Sequence, residues 1–275
     1  MQGPEVTPDR YLPVAGALLR YRDEGCGPAV LLIHGWTLDL EMWEPQVTAL
    51  GDAFRLIRFD RRGFGLSSGR ASLTADAEDA LYLCDKLEIA RFACIGMSQG
   101  ARVALHLCRL APQRLQCLVL DGPPRTLGEV GAEEGEDMPL TEYRDLIARG
   151  DIETFRRRWA SHPLMQLETR ATRPRALLER MMSRYSGSDL LAEPAAPEER
   201  WDRDAATSLR APVLIVTGER DLPSRVRAAD ELAAALPMAQ RASISAARHI
   251  PSLDNSLSYN AVVRAFLERH AGSCH

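Results

Sequence analysis

Ile95-Gly96-Met97-Ser98-Gln99-Gly100 decides how this chain reads. A short apolar run, Arg91-Phe92-Ala93-Cys94-Ile95, precedes it and predicts a buried strand. The segment that follows, Ala101 onward through Leu110, is helix-forming. Strand, glycine-flanked serine and helix together describe a nucleophile elbow. So tight a turn puts the serine in a strained backbone conformation, and a Cβ at either flank would clash. The strain would present the Ser98 hydroxyl at the N-terminus of the helix, where backbone N–H groups favour developing negative charge. The competing reading is an ordinary strand-to-helix turn with Ser98 as a helix cap.

Working outward, Tyr11-Leu12-Pro13-Val14, Ala15-Gly16 and Ala17-Leu18-Leu19-Arg20-Tyr21 predict a β-hairpin. Ala29-Val30-Leu31-Leu32-Ile33 is apolar on both faces, as a strand covered by helices on both sides should be. A helix is expected over 42–50, a strand over 55–59, and a helix to about residue 87 capped by Thr74. Another strand over 115–120 ends at Asp121-Gly122-Pro123-Pro124. Strand and helix alternate strictly, which predicts an α/β fold: a doubly wound, mostly parallel sheet of eight strands. The alternation breaks over 123–204, where the sequence is charged, helical and strand-poor. Helices are expected there over 141–160 and 174–185, with an acidic loop at Glu133, Glu134, Glu136 and Asp137 and a connector over 186–197. Strands return at 212–217 and 241–245, each followed by a helix, over 224–236 and 257–270. The expected organisation is a core of residues 1–122 and 205–275 with a helical lid (cap) inserted at 123–204, over the strand ends where open α/β sheets bind ligands.

The chain has 275 residues, 45% of them hydrophobic, which suits one domain with an inserted subdomain. A net charge of −4 argues against a nucleic-acid partner, because phosphate binding needs concentrated positive charge. No signal-peptide pattern or membrane-spanning run is visible. Six cysteines are scattered without paired spacing, and four lie in apolar strand or helix patterns. A reduced, cytoplasmic protein with a small-molecule substrate, no membrane partner and no metal or cofactor is expected; the oligomeric state stays open.

Five pieces in order resemble the α/β-hydrolase fold superfamily: His34-Gly35-Trp36, Asp60-Arg61-Arg62-Gly63-Phe64-Gly65-Leu66-Ser67, Gly96-Met97-Ser98-Gln99-Gly100, Gly218-Glu219-Arg220-Asp221 and Arg248-His249. The order serine, acid, histidine is the family's own. The resemblance implies Ser98 as nucleophile, His249 as base and Asp221 as the acid that orients it. Asp121, after the sixth strand, is the rival acid. The backbone N–H groups of Trp36 and Gln99 are the expected oxyanion donors, and His34 is expected to shape the oxyanion loop.

A serine at the elbow sets aside epoxide and haloalkane chemistry, which in this family runs through an aspartate. A serine esterase, lactonase or thioesterase on a small or medium substrate is the expected function. The alternatives are a serine-dependent C–C hydrolase or lyase on a carboxylated metabolite, a proline iminopeptidase type of aminopeptidase, and a non-catalytic ligand sensor. Arg102, four residues after the nucleophile in a position similar to that of a menaquinone-pathway synthase, and His162 in the lid are candidate substrate contacts. The competing readings are a core or surface pairing for Arg102 and simple exposure for His162.

Overall fold

Odd and even positions of the central strands serve different cores. In β3 (Ala29–Ile33), Val30 and Leu32 join one apolar cluster, and Ala29, Leu31 and Ile33 join the other. β5 (Phe92–Met97) and β7 (Val213–Gly218) divide the same way, because a strand has period two, and β6 (Leu115–Asp121) does so from Cys117 onward, past a register shift against β5. These strands are therefore covered on both faces. The computed structural model describes residues 7–125, 138–192 and 209–272.

The sheet has eight strands in the order β1-β2-β4-β3-β5-β6-β7-β8. β1 (Arg10–Val14) and β2 (Ala17–Gly25) form the expected hairpin, and β2 runs antiparallel to β4 (Arg55–Phe59). All remaining neighbours, through β8 (Ala239–Ile244), are parallel. From β3 the chain steps to β4 on one side and later to β5 on the other. The loops after β3 and β5 thus leave the sheet side by side, at a topological switch point.

α1 (Glu44–Leu50) packs on one face, and α2 (Leu73–Lys86) and α3 (Gln99–Leu110) on the other. The expected helix over 42–50 is split, with Leu40–Trp43 a 3-10 turn capped by Asp39. α2 starts earlier than expected: Ser72 caps it, accepting from the Ala75 N–H, so Thr74 lies inside the first turn.

Between β6 and β7 the described residues are helical, in α4 (Leu140–Ala148), α5 (Ile152–Ser161), α6 (Thr172–Arg184) and α7 (Ser188–Leu191). The single helix expected over 141–160 is two. Gly150, at φ +75°, ends one, and Asp151 caps the next by accepting from the Thr154 N–H. α7 lies within the expected connector. The acidic stretch 133–137, Cys274 and the expected boundary at 204–205 lie outside the described residues.

After β7 come α8 (Pro223–Ala235), β8, the single turn α9 (Pro251–Asp254) and α10 (Ser256–His270). Cys84, Cys94, Cys108 and Cys117 are buried small side chains, and burial pushes the Cys84 and Cys117 thiols up to about 12. Among the described residues, no helix is long and apolar enough to cross a membrane.

The inserted helices are bonded to the loop that follows β3. Arg184 of α6 donates to Asp39 at 2.6 Å and lies 2.9 Å from Glu41, and Arg180 lies 2.8 Å from Glu41. Trp159 of α5 donates its indole N–H to the Thr37 hydroxyl at 2.8 Å, and Trp36 donates its own to Asp189 at 2.7 Å. Edge-to-face contacts of Trp36 with Phe155, Trp159 and Tyr185 complete the seam. The insertion thereby sits over the residues after β3.

Candidate active site

Ser98 stands at φ +50°, ψ −114°, a backbone state costing a side-chain-bearing residue ~1–3 kcal/mol. Close packing holds it there. A Cβ on Gly96 would fall 2.4 Å from the Gly100 carbonyl oxygen, and one on Gly100 would fall 2.4 Å from that of Ile33. α3 therefore presses against both β5 and β3, and only glycine fits at either contact. The Ser98 N–H donates to the Asp121 carbonyl at 2.7 Å, which fixes the turn against β6.

His249 and Asp221 reach the same point from the ends of the sheet's last two strands. His249 Nδ1 lies 3.0 Å and 3.2 Å from the two carboxylate oxygens of Asp221, and its Nε2 lies 3.1 Å from Ser98 Oγ. A carboxylate only accepts, so the imidazole hydrogen belongs on Nδ1 and Nε2 is left to accept from the serine hydroxyl. Asp221 Oδ1 also accepts the Leu222 N–H at 2.7 Å. Both side chains are buried. This order of contacts lets the imidazole take the hydroxyl proton while the carboxylate steadies the resulting charge.

Asp121, the rival acid, is fully buried next to Tyr259, Ser252 and Asp221. Burial raises its carboxyl well above the carboxylate range. The carboxylate facing His249 Nδ1 is that of Asp221.

The Gly35–Trp36 peptide is oriented from behind. The backbone N–H of Arg61 donates to His34 Nε2 at 2.9 Å, which puts the ring hydrogen on Nδ1; that N–H then donates to the Gly35 carbonyl at 2.8 Å. Arg61 Nη2 adds a bond to the same carbonyl at 3.3 Å and another to Gln99 Oε1 at 2.7 Å. C=O and N–H of one trans peptide point in opposite directions. Pinning the Gly35 oxygen on the His34–Arg61 side turns the Trp36 N–H the other way. An added Cβ on Gly35 would lie 3.6 Å from Ser98 Cβ, so this peptide runs alongside the serine. Gln99 opens α3, and its N–H is one of those a helix start leaves outside the helical ladder.

The neutral His34 ring carries a pH consequence. Burial first, then the Arg61 charge, hold its pKa well below 6.5, against the opposing pull of the bond to Gly35. The unfolded chain protonates this histidine near 6.5, so it binds more protons than the folded chain below that pH, and stability falls as pH falls. The slope expected from this one group is ~1.4 kcal/mol per pH unit. Urea unfolding between pH 5 and 7 should show it in the wild type and lose it in His34→Asn; equal slopes would contradict the assignment.

A cavity of about 190 Å³ opens on Ser98 and His249. Its wall is mainly apolar, with Trp36, Leu38, Met97, Met138, Leu140, Trp159, Leu164, Met165, Leu190 and Ile250. Arg102, Arg225 and Asp189 are the charged lining residues among those described. Asp189 accepts from Trp36 Nε1 and from the Tyr185 hydroxyl, the latter at 2.6 Å. Arg102 lines the cavity and donates to the Arg125 carbonyl at 3.3 Å. His162 is not among the lining residues. It ends α5, stacks at 4.8 Å on Trp159 and accepts from the Leu164 N–H at 3.3 Å, so the structure does not bring it to the cavity.

Sequence reasoning missed Arg61 as the organiser of the Gly35–Trp36 peptide, and Arg225, Trp159 and Met165 as cavity wall. The motif around Arg61 was visible, but its contact with Gln99 joins residues 38 apart. Asp254 accepts the N–H groups of Thr169 and Arg248, and Asn255 caps α10.

An α/β sheet with a serine elbow, a histidine after the last strand and a helical insertion defines a class, and the comparisons agree with it. The family model of the alpha/beta hydrolase fold matches residues 28–256, and the chain belongs to that family. The chain is 27% identical over 249 residues to the pimeloyl-[acyl-carrier protein] methyl ester esterase of Nitrosomonas europaea, covering 86% of this chain and 94% of the relative. Among solved structures, a thermophilic esterase from Thermogutta terrifontis matches with a TM-score of 0.77 at 24% identity, covering 94% of this chain and 98% of its own. The enol-lactonase from Burkholderia xenovorans LB400 matches at 0.75 and 23% identity, covering 94% of this chain and all of its own. These two share the fold.

Proposed function

We propose that the protein is a serine hydrolase that cleaves a small or medium carboxylic ester, lactone or thioester through an acyl-enzyme on Ser98. The observation that carries this reading is the chain of contacts from Ser98 Oγ to His249 Nε2 at 3.1 Å and from His249 Nδ1 to Asp221 at 3.0 Å. Ser98 Oγ attacks the acyl carbon while His249 Nε2 takes its proton. The carbonyl oxygen becomes an oxyanion, held by the N–H groups of Trp36 and Gln99. His249 returns the proton to the departing alcohol or thiol as the acyl bond breaks. Water, deprotonated by the same nitrogen, then attacks the acyl carbon, and His249 passes that proton to Ser98 Oγ as the acyl–oxygen bond breaks and the acid leaves. The methyl ester esterase named for the Nitrosomonas relative supports an ester as the bond broken.

In this reading, residues 123–204 act as a lid on a core of 1–122 and 205–275, and the ion pairs of Arg180 and Arg184 latch it. Free, buried cysteines suit a cytoplasmic setting. The cavity, at about 190 Å³, is smaller than the ~300–1,000 Å³ of drug-sized sites, so short acyl chains fit best. Arg102 on its wall favours substrates with an anionic or acceptor group remote from the scissile bond.

The test is steady-state hydrolysis of a panel: aryl esters of two to ten carbons, γ-lactones, and matched esters bearing a terminal carboxylate. Turnover should peak at short chains, and Arg102→Ala should raise KM for the carboxylated members more than for the neutral ones. A well-folded protein that turns over none of them overturns the proposal; equal KM changes across the panel remove Arg102 from it.

A further inference from the structure

Arg220 immediately precedes Asp221, and Arg248 immediately precedes His249. Both arginines reach one carboxylate. Glu168, in the inserted segment ahead of α6, accepts from Arg220 Nη1 at 2.6 Å and from Arg248 Nε at 2.5 Å. Beside it a second carboxylate makes a matching bridge. Asp254 accepts the Thr169 N–H at 2.7 Å through Oδ1 and the Arg248 N–H at 2.8 Å through Oδ2. The two loops also meet directly, with the Arg220 N–H donating to the Ala247 carbonyl at 2.9 Å. One short stretch of the insertion, Glu168-Thr169, is therefore tied to both the loop that carries the acid and the loop that carries the base.

From this geometry we infer that Glu168 is a positioning residue, which clasps the Asp221 and His249 loops together and links the seating of the insertion to the alignment of the Asp221–His249 pair. The inference rests on the hydrolase reading for its kinetic consequence. Energetics separate it from a role in stability. Glu168, Arg220 and Arg248 are partly exposed, and such surface ion pairs contribute only ~0–1 kcal/mol each. Reaction geometry is far less forgiving, since a misplacement of about 1 Å can cost ~10²-fold in rate. Asp254, which is buried, holds the backbone of the base loop whatever Glu168 does. Loss of Glu168 should therefore loosen the acid and base loops relative to one another without unfolding either.

Glu168→Ala should lower kcat on a short aryl ester by about tenfold, less than a full ångström of misplacement would cost, with KM and the thermal midpoint close to wild type. Glu168→Asp, too short to reach both guanidinium groups, should fall between. Glu168→Ala combined with Arg220→Ala should lose no more than Glu168→Ala alone, because the two side chains act as one unit. Proton NMR gives a readout independent of turnover: the His249 Nδ1–H resonance, held by Asp221, should broaden and exchange faster with water in Glu168→Ala. Unchanged kcat together with an unchanged resonance overturns the clasp, as does a kcat loss matched by an equal fall in thermal midpoint. If the wild type hydrolyses no ester, the hydrolase reading fails, and the resonance alone decides the clasp.

Discussion

Ser98→Ala should leave a folded protein whose kcat on any accepted ester has dropped by roughly 10⁴–10⁶, the scale seen when a nucleophile that works with its base as a unit is removed. The size of the effect follows from the site. With Oγ absent, Nε2 of His249 has no hydroxyl to deprotonate, and only the oxyanion donors and substrate binding remain. His249→Ala should fall almost as far, and the double variant should fall no further than either single one, because the two groups perform one step. Stability should barely move, since alanine is as small as serine and suits φ +50° no worse. Rates for the purified variants, with circular dichroism as the folding control, check this. A Ser98→Ala enzyme retaining a tenth of the wild-type rate would contradict the mechanism.

Arg61 carries the second large effect, and it divides into two measurable parts. Its guanidinium is 1% exposed and contacts Asp76 at 3.1 Å, the Gly35 carbonyl, Gln99 Oε1 and the face of Phe64. Arg61→Met should cost the fold ~3–5 kcal/mol by stranding a buried partner. Asp76 softens that cost by protonating, because burial already lifts its carboxyl to about 6 against the pull of Arg61. Arg61→Lys separates structure from catalysis. It keeps a cation for Asp76 but loses the fork that spans Gly35 and Gln99. Its kcat should fall by ~10²–10³, the loss expected for one misdirected oxyanion donor, with KM nearly unchanged. Wild-type kcat in Arg61→Lys would show that the Gly35–Trp36 peptide holds its direction unaided.

How far the sequence could be read follows from the range of each interaction. The strands were legible because strands buried on both faces read as apolar runs, and the elbow was legible because its close contacts demand Gly96 and Gly100. Local signals misled where several sat together. Ser72 and Thr74 can both cap, and the choice falls to the residue whose N–H partner at Ala75 is in reach. Gly150-Asp151 was a helix stop and start within an otherwise periodic run, and the periodicity concealed it. The links between the insertion and the core had no local signature at all. Arg184 with Asp39, Trp36 with Asp189 and Asp254 with Thr169 join residues 145, 153 and 85 positions apart. His162 shows the same limit in reverse. Its place in the inserted segment suggested the site, but it packs on Trp159, which lines the cavity in its stead. Arg102 needed the fold to be placed on the cavity wall.

The most direct test of the central claim is covalent capture. The protein is incubated with a p-nitrophenyl alkylphosphonate, whose phosphorus takes the place of the acyl carbon and traps an attacking serine. Intact mass and peptide mapping then locate the adduct. A single adduct on Ser98, formed in step with loss of ester hydrolysis and absent from His249→Ala, is the predicted result. An adduct on another residue, or full ester turnover with Ser98 unmodified, would contradict the account.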